Sequence, residues 1–220
     1  EGRWFDPAFK KNETDPDARA ERVWDRAQAE AIVAACAGQK GSVSEESKPS
    51  HQSAPQLFDL TSLQREANSK FGYSAKTTLA LAQALYERHK VLTYPRTDSR
   101  ALPEDYIKVA QKTVALLAES DAYAPAALTI KKNAWIKANK RIFDNSKVSD
   151  HFAIIPTLQA PKSLSEAEHK IYDLVVKRFL AIFYPPAQYL VTTRITQVGQ
   201  HGFKTEGKVL VDAGWLAVYG

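Results

Sequence analysis

Apolar residues recur at helical spacing in five stretches of the chain. In the first, Ala20, Val23, Trp24, Ala27, Ala31 and Ala34 fall on one face. Asp15-Pro16 offers that helix an N-cap carboxylate and a proline at its first position, and Gly38 follows as a C′ residue. Residues 39–56 are polar and rich in Ser, Lys and Glu; they read as loop or edge strand, with Gly41 to Glu45 extended. A second helix is predicted from Ser62 to Asn68. A third runs from Ser74 to His89, striped by Leu79, Ala82, Leu85 and Tyr86. Pro103 opens a fourth, carried by Ile107, Ala110, Val114 and Leu117. The fifth begins at Ser165, whose partner Glu168 completes a capping box. Ile171, Leu174, Val175 and Ile182 pack it, and Pro185-Pro186 stops it.

Beyond Pro186 the period falls from about 3.6 to 2. Tyr189, Val191, Thr193 and Ile195 alternate with Leu190, Thr192, Arg194 and Thr196, which describes a strand. A turn at Gly199–Gly202 leads to short strands at Phe203–Glu206 and Lys208–Val211, and Arg3-Trp4-Phe5 reads as another. The order predicts an α+β chain of more than one domain. Its mainly helical part, 58–183, is inserted into a β-rich domain made of the flanks 1–57 and 184–220.

Charge follows the same division. The formal net charge is +5, and between Phe58 and Phe183 there are 19 Lys and Arg against 13 Asp and Glu, so the excess lies in the helical part. Lys131, Lys132, Lys137, Lys140 and Arg141 are the densest cluster, interleaved with Trp135 and Phe143. Such a run is either a solvated face or a set of phosphate contacts. The single cysteine, Cys36, excludes an internal disulfide and a Cys-built zinc site, and fits a reducing compartment. It ends an apolar helix face and reads as a small buried residue. No apolar run approaches the ~18–20 residues of a membrane span, and the polar start is unlike a signal peptide. Because the chain contains no Met, it is expected to be processed or excised from something larger.

The stretch that carries candidate chemistry is Leu92-Thr93-Tyr94-Pro95-Arg96-Thr97-Asp98-Ser99-Arg100, between two predicted helices. Pro95 fixes its own φ and biases Tyr94 toward extended backbone, so the phenol projects from a stiff turn. Arg96, two residues on, lies on the same side of an extended segment, and its fork fits two phosphate oxygens. A neutral phenol is a weak nucleophile until a nearby cation or base favours the phenolate. Taken as composition alone, Tyr-Pro-Arg is equally an ordinary structural turn.

Linked motifs change that balance. Leu57-Phe58-Asp59-Leu60-Thr61-Ser62-Leu63-Gln64-Arg65-Glu66-Ala67-Asn68, Ser74-Ala75-Lys76-Thr77-Thr78-Leu79, Ala82-Gln83-Ala84-Leu85-Tyr86-Glu87 and Thr93-Tyr94-Pro95-Arg96-Thr97-Asp98-Ser99 occur in that order. Ser149-Asp150-His151-Phe152-Ala153-Ile154-Ile155-Pro156-Thr157 follows downstream. Together they closely resemble the type IA DNA topoisomerases, with the topoisomerase III branch nearest. The close match covers Leu57–Leu102 and Ser149–Thr157; the flanks agree only in character.

The resemblance implies single-strand cleavage and religation through a 5′-phosphotyrosyl intermediate, with a strand passed through the break and no use of ATP. It implies Tyr94 as nucleophile, Arg96 as the arginine that positions it and binds phosphate, and His151 at the scissile region. Asp98 would pair with that histidine, and Thr93 would support the tyrosine. Single-stranded DNA is the implied partner, with Thr61, Gln64, Arg65, Lys76, Arg100 and the 131–141 cluster as candidate contacts; helix capping and packing explain the polar ones equally well. The implied fold is a winged-helix-like tyrosine domain inserted into an arch that acts as hinge. The family's Mg²⁺ is held by a domain outside this chain. The run Thr14-Asp15-Pro16-Asp17-Ala18-Arg19-Ala20-Glu21 only mimics its acidic pattern, because Lys10-Lys11-Asn12-Glu13 precedes it instead of an apolar strand. No metal or ATP site is expected here, and no membrane contact. The expected location is cytoplasmic, at the nucleoid. On this reading the chain binds DNA without relaxing it, having half an active site. The alternative is a non-catalytic DNA-binding module. A relaxase-like nicking enzyme would need a compact histidine trio, which five scattered His do not supply.

Overall fold

The computed structural model describes residues 1–10 and 17–220, and the chain divides into two compact units. The first comprises Glu1–His51 and Gln188–Asp212, the second Gln52–Ala187 and Ala213–Gly220. The sequence-based boundaries at 57/58 and 183/184 fall elsewhere. Ala54, Leu57, Ala187 and Trp215 are buried, and Trp215 Nε1 donates to the Gln52 carbonyl at 2.8 Å, so these segments belong to the helical unit.

The first unit is built on a four-stranded antiparallel sheet of order β1-β4-β3-β2, with β1 Arg3–Phe5, β2 Ser42–Gln52, β3 Ala187–Val198 and β4 His201–Asp212. β3 and β4 form one long hairpin with Val198 opposite His201, where the sequence suggested two short returning strands. Edge strand β2 is longer than the Gly41–Glu45 expectation. Arg194 donates to Glu45 at 2.8 Å, and the Ser47 and Thr192 hydroxyls lie 2.8 Å apart, holding β2 to β3. Helix α1 spans Arg26–Cys36, ten residues later than the expected start. Its N-cap is Asp25, whose carboxylate accepts from the Ala27 amide; the Asp15-Pro16 start lies outside the described residues. The half-buried face is therefore Ala29, Ile32 and Cys36, not Ala27, Ala31 and Ala34. Trp24, expected to pack, is 77% exposed ahead of that helix, and Cys36 is only partly buried.

The second unit holds five helices: α2 Leu60–Phe71, α3 Ala75–Glu87, α4 Ile107–Leu117, α5 Ala124–Asn133 and α6 Glu166–Ala181. α6 is its axis. It packs against α2, α3 and α5, and Ile171, Leu174, Val175, Val176, Phe179 and Leu180 are all buried. Ser165 and Glu168 close the predicted capping box at its start. Glu168 is buried and accepts from the Ser165 amide and hydroxyl, from Arg88 and from His89 at 3.2 Å. The Ser165 amide bond is the largest cause holding its carboxyl at about 2; burial opposes this, and the Ser165 hydroxyl, His89 and Arg88 add to it. His89 thus has a buried partner in Glu168.

Arg178 on α6 is the other internal charge. Its guanidinium reaches Glu66, donates to the Gln56 carbonyl at 3.0 Å and lies 4.0 Å from the centre of the Phe58 ring. After β4 the chain returns through Gly214, at φ +50; a β-carbon there would meet the Pro185 and Pro186 carbonyl oxygens at 2.6 Å. Among the described residues no helix is long and apolar enough to cross a membrane.

Candidate active site around Tyr94

Two segments far apart in sequence meet beside α2 and α3. The first, 91–102, leaves the end of α3; the second, 151–157, precedes α6. Isolated bridges Phe58–Ile154 and Leu92–Pro156 lay the second segment along the first and along the start of α2. Thr93 fastens them most tightly. Its amide donates to the Ile155 carbonyl at 3.0 Å, its hydroxyl donates to the Ala153 carbonyl at 3.0 Å, and the Ile155 amide donates back to that hydroxyl at 2.9 Å. Thr93 therefore joins the segment of Tyr94 to that of His151.

From Pro95 to Ala101 burial alternates with period two. Pro95, Thr97, Ser99 and Ala101 are buried, while Arg96, Asp98 and Arg100 are exposed. Polar bonds hold the inward set: the Leu60 amide donates to the Thr97 carbonyl at 3.0 Å, and the Ser99 hydroxyl to the Lys147 carbonyl at 2.7 Å. The stiff turn expected from Pro95 thus continues as an extended ledge. Arg96, Asp98 and Arg100 are presented along it with Tyr94, which is half-buried.

Tyr94 and His151 come together, their rings 4.3 Å apart and tilted by 40°. His151 itself is exposed. Tyr86, on the last turn of α3, meets the Tyr94 ring edge-on at 5.4 Å and 76°. Arg96 is exposed and donates to Gln83 Oε1 at 3.1 Å. Asp98 does not join this group. The expected Asp98–His151 pair is absent among the described residues, because the alternation turns Asp98 toward solvent. Tyr86 and Gln83 carried no role in the sequence reading. The available signal was their i, i+3 spacing on the helix that leads into the Tyr-Pro-Arg turn.

The candidate DNA contacts divide into engaged and exposed groups. Arg100 donates to Asp59 Oδ2 at 2.8 Å, and Asp59 caps α2 by accepting from the Ser62 amide. Burial alone would raise the Asp59 carboxyl, but the Arg100 and Ser62 bonds outweigh it and hold it low. Gln64 donates to the Ala75 carbonyl at 3.0 Å, Lys140 pairs with Glu104, and Arg141 donates to the Ala54 carbonyl. Trp135 packs on Tyr184 at 4.7 Å. Thr61, Arg65, Lys76, Lys131, Lys132 and Lys137 are exposed. Lys131 and Lys132 occupy the last turn of α5, where cations complement the helix dipole. Among the described residues no three His, Cys, Asp or Glu side chains cluster in a way that could hold a metal ion. Asp15 of the acidic run lies outside them.

Comparison with known proteins points one way. The profile of a family described as DNA topoisomerase matches residues 6–220. DNA topoisomerase 3 of Bacillus thuringiensis strain Al Hakam is 49% identical over 168 residues, 76% of this chain and 23% of that protein. DNA topoisomerase 3 of Bacillus cereus strain ATCC 14579 is 45% identical over 201 residues, 90% of this chain and 27% of that protein. The structure of full-length topoisomerase I from Thermotoga maritima superposes with a TM-score of 0.63 at 25% identity, over 92% of this chain and 33% of that one. The chain thus spans about a quarter of the length of these curated relatives.

Proposed function

The chain belongs to the DNA topoisomerase family, in its type IA class, and from that premise we propose that it carries the strand-cleaving tyrosine of such an enzyme. The phenolic oxygen of Tyr94 attacks a DNA phosphorus. A bond from that oxygen to phosphorus forms as the bond from phosphorus to the 3′ oxygen breaks, and the released 3′ hydroxyl takes up the proton. A 5′-phosphotyrosyl link remains, and the reverse step reseals the strand. One phosphodiester is exchanged for another, so no ATP is consumed. Arg96, exposed on the ledge and oriented by Gln83, grips the non-bridging oxygens. His151 donates to the same oxygens as charge grows on them. The single observation that carries this reading is the contact between Tyr94 and His151, brought from distant segments and stitched at Thr93.

The first unit serves as arch and hinge and the helical unit as a winged-helix-like binder of single-stranded DNA; what supports the latter is the pair of extended segments bridged beside α2 and α3. Strand passage through the break, and a place at the cytoplasmic nucleoid, belong to the same reading. Mg²⁺ is assigned to another part of the longer enzyme and no step above runs through it; among the described residues no three His, Cys, Asp or Glu side chains cluster in a way that could hold it. Alone, this chain binds single strands and relaxes nothing. The test mixes it with a separately made metal-binding half, Mg²⁺ and a single-stranded oligonucleotide. A covalent adduct that vanishes in Tyr94→Phe is expected. No adduct in any mixture would leave a non-catalytic DNA-binding module, and robust relaxation by the chain alone would refute the half-site.

A further inference from the structure

Helices α2 and α3 finish differently. At the end of α2 the residue in the left-handed conformation is Gly72, at φ +70, as helix ends ordinarily require. At the end of α3 the corresponding residue is Lys90, at φ 60. A side chain is costly there, and the backbone around it is over-determined. The His89 amide donates to the Ala84 carbonyl at 3.1 Å and the Val91 amide to the Leu85 carbonyl at 2.9 Å. The Thr157 hydroxyl donates to the Lys90 carbonyl at 2.7 Å. Ala134 at the end of α5 holds the same conformation, at φ 49, with only a methyl group, so it is the contacts of the Lys90 side chain that give it a role.

That side chain places its ammonium 5.8 Å from the centre of the Tyr86 ring. Tyr86 in turn meets Tyr94 edge-on. An edge-to-face pair is attractive only while the electropositive rim of one ring addresses the face of the other, so Tyr86 restricts the tilt of the Tyr94 ring. A cation over Tyr86 does the same for Tyr86. We propose that Tyr86 and Lys90 are positioning residues that hold the plane of the Tyr94 ring for attack, Lys90 acting through Tyr86. The inference rests on the proposed role of Tyr94 as nucleophile. Glycine would relax the backbone at position 90 but would leave the Tyr86 ring without its cation.

Two readouts test it. The first needs no activity: the chain is labelled at its tyrosine rings and the Tyr94 resonances are assigned through Tyr94→Phe. Tyr86→Leu is expected to shift them and speed ring rotation, whereas Tyr86→Phe, which keeps the ring, leaves them near their original positions. The second is the rate of adduct formation in the two-part mixture at saturating oligonucleotide. Tyr86→Leu should slow it about tenfold, the size of one lost edge-to-face contact, with oligonucleotide affinity unchanged. Lys90→Gly and Lys90→Asn tolerate the left-handed backbone without the cation; both should slow the reaction. Lys90→Gly should also raise the urea midpoint, and Lys90→Arg should restore the rate. Unmoved Tyr94 resonances in Tyr86→Leu overturn the proposal whether or not the wild type forms an adduct. A normal rate in Lys90→Gly overturns the part given to Lys90. Failure of the wild type to form an adduct counts against the function of Tyr94, and the ring resonances still decide the positioning.

Discussion

Thr93 and Ile155 bind each other twice, the Thr93 amide donating to the Ile155 carbonyl and the Ile155 amide to the Thr93 hydroxyl. The hydroxyl also serves the Ala153 carbonyl, so one side chain closes the contact between the two halves of the site. Thr93→Val keeps the shape and removes both side-chain bonds. It should cost on the order of 1–3 kcal/mol in urea unfolding, because an amide and a carbonyl lose their partner. Thr93→Ser should stay near the wild type.

Arg178 joins α6 to Glu66 on α2, and only 10% of its side chain is exposed. Arg178→Met removes the guanidinium, leaving the Gln56 carbonyl without that donor and Glu66 with Lys70, 3.3 Å away, as its cation. The expected loss is about 1–3 kcal/mol in chemical denaturation. Adding Glu66→Gln should recover part of it by removing the half-neutralised charge. No recovery would mean that the Phe58 stacking and the Gln56 bond carry the contribution instead.

Acid should weaken the fold in part through Glu168. Its carboxyl is held at about 2 in the fold against an ordinary 4.5. A lowered carboxylate adds stability above the unfolded value and loses it as pH falls through the folded one. The urea midpoint should therefore decline between about pH 4.5 and about 2. Glu168→Gln should start lower and show a flatter profile over that window.

The basic side chains separate by what they already touch. Lys76, Lys131, Lys132 and Lys137 are exposed, whereas Arg141 is committed to the Ala54 carbonyl. Replacing an exposed lysine that meets phosphate by Ala should lower the logarithmic salt slope of oligonucleotide binding by about 0.7 per contact. Arg141→Ala should instead lower stability and leave that slope unchanged. A slope indifferent to all four lysines would remove them from the DNA path.

The parts of the fold that were legible in the sequence had local causes. Ser165 and Glu168 are enough to begin α6, and the alternation from Tyr189 to Thr196 is enough for β3. Arg3-Trp4-Phe5 was read correctly as a strand although it is only three residues long. The start of α1 was misplaced because Asp15-Pro16 has the capping chemistry that Asp25 performs. α5 has little periodic signal in the sequence, because only Ala127 and Ile130 provide its buried side and its last turn is charged. The linked motifs single out Tyr94, Arg96 and His151, and the rings of Tyr94 and His151 do meet. The engagement of Arg100 with Asp59 was not legible, since that pair is made by the approach of α2 to the ledge. Tyr86 was visible as a helix-face residue, but its contact with Tyr94 needs the turn at Lys90, which periodicity does not encode.

The route of the chain between its two units has a practical outcome. It changes unit at 51/52, 187/188 and 212/213, so the buried Trp215 and Val218 come to the helical unit only after the β3–β4 hairpin has been made. During synthesis the unit that carries Tyr94 thus waits for residues 213–220, although most of its residues emerge early. A ribosome that stalls at Asp212 would release a helical unit lacking Trp215 and Val218, an obvious target for quality-control proteases. Attempts to express the tyrosine-bearing half by trimming at Ala187 would reproduce that same unfinished state.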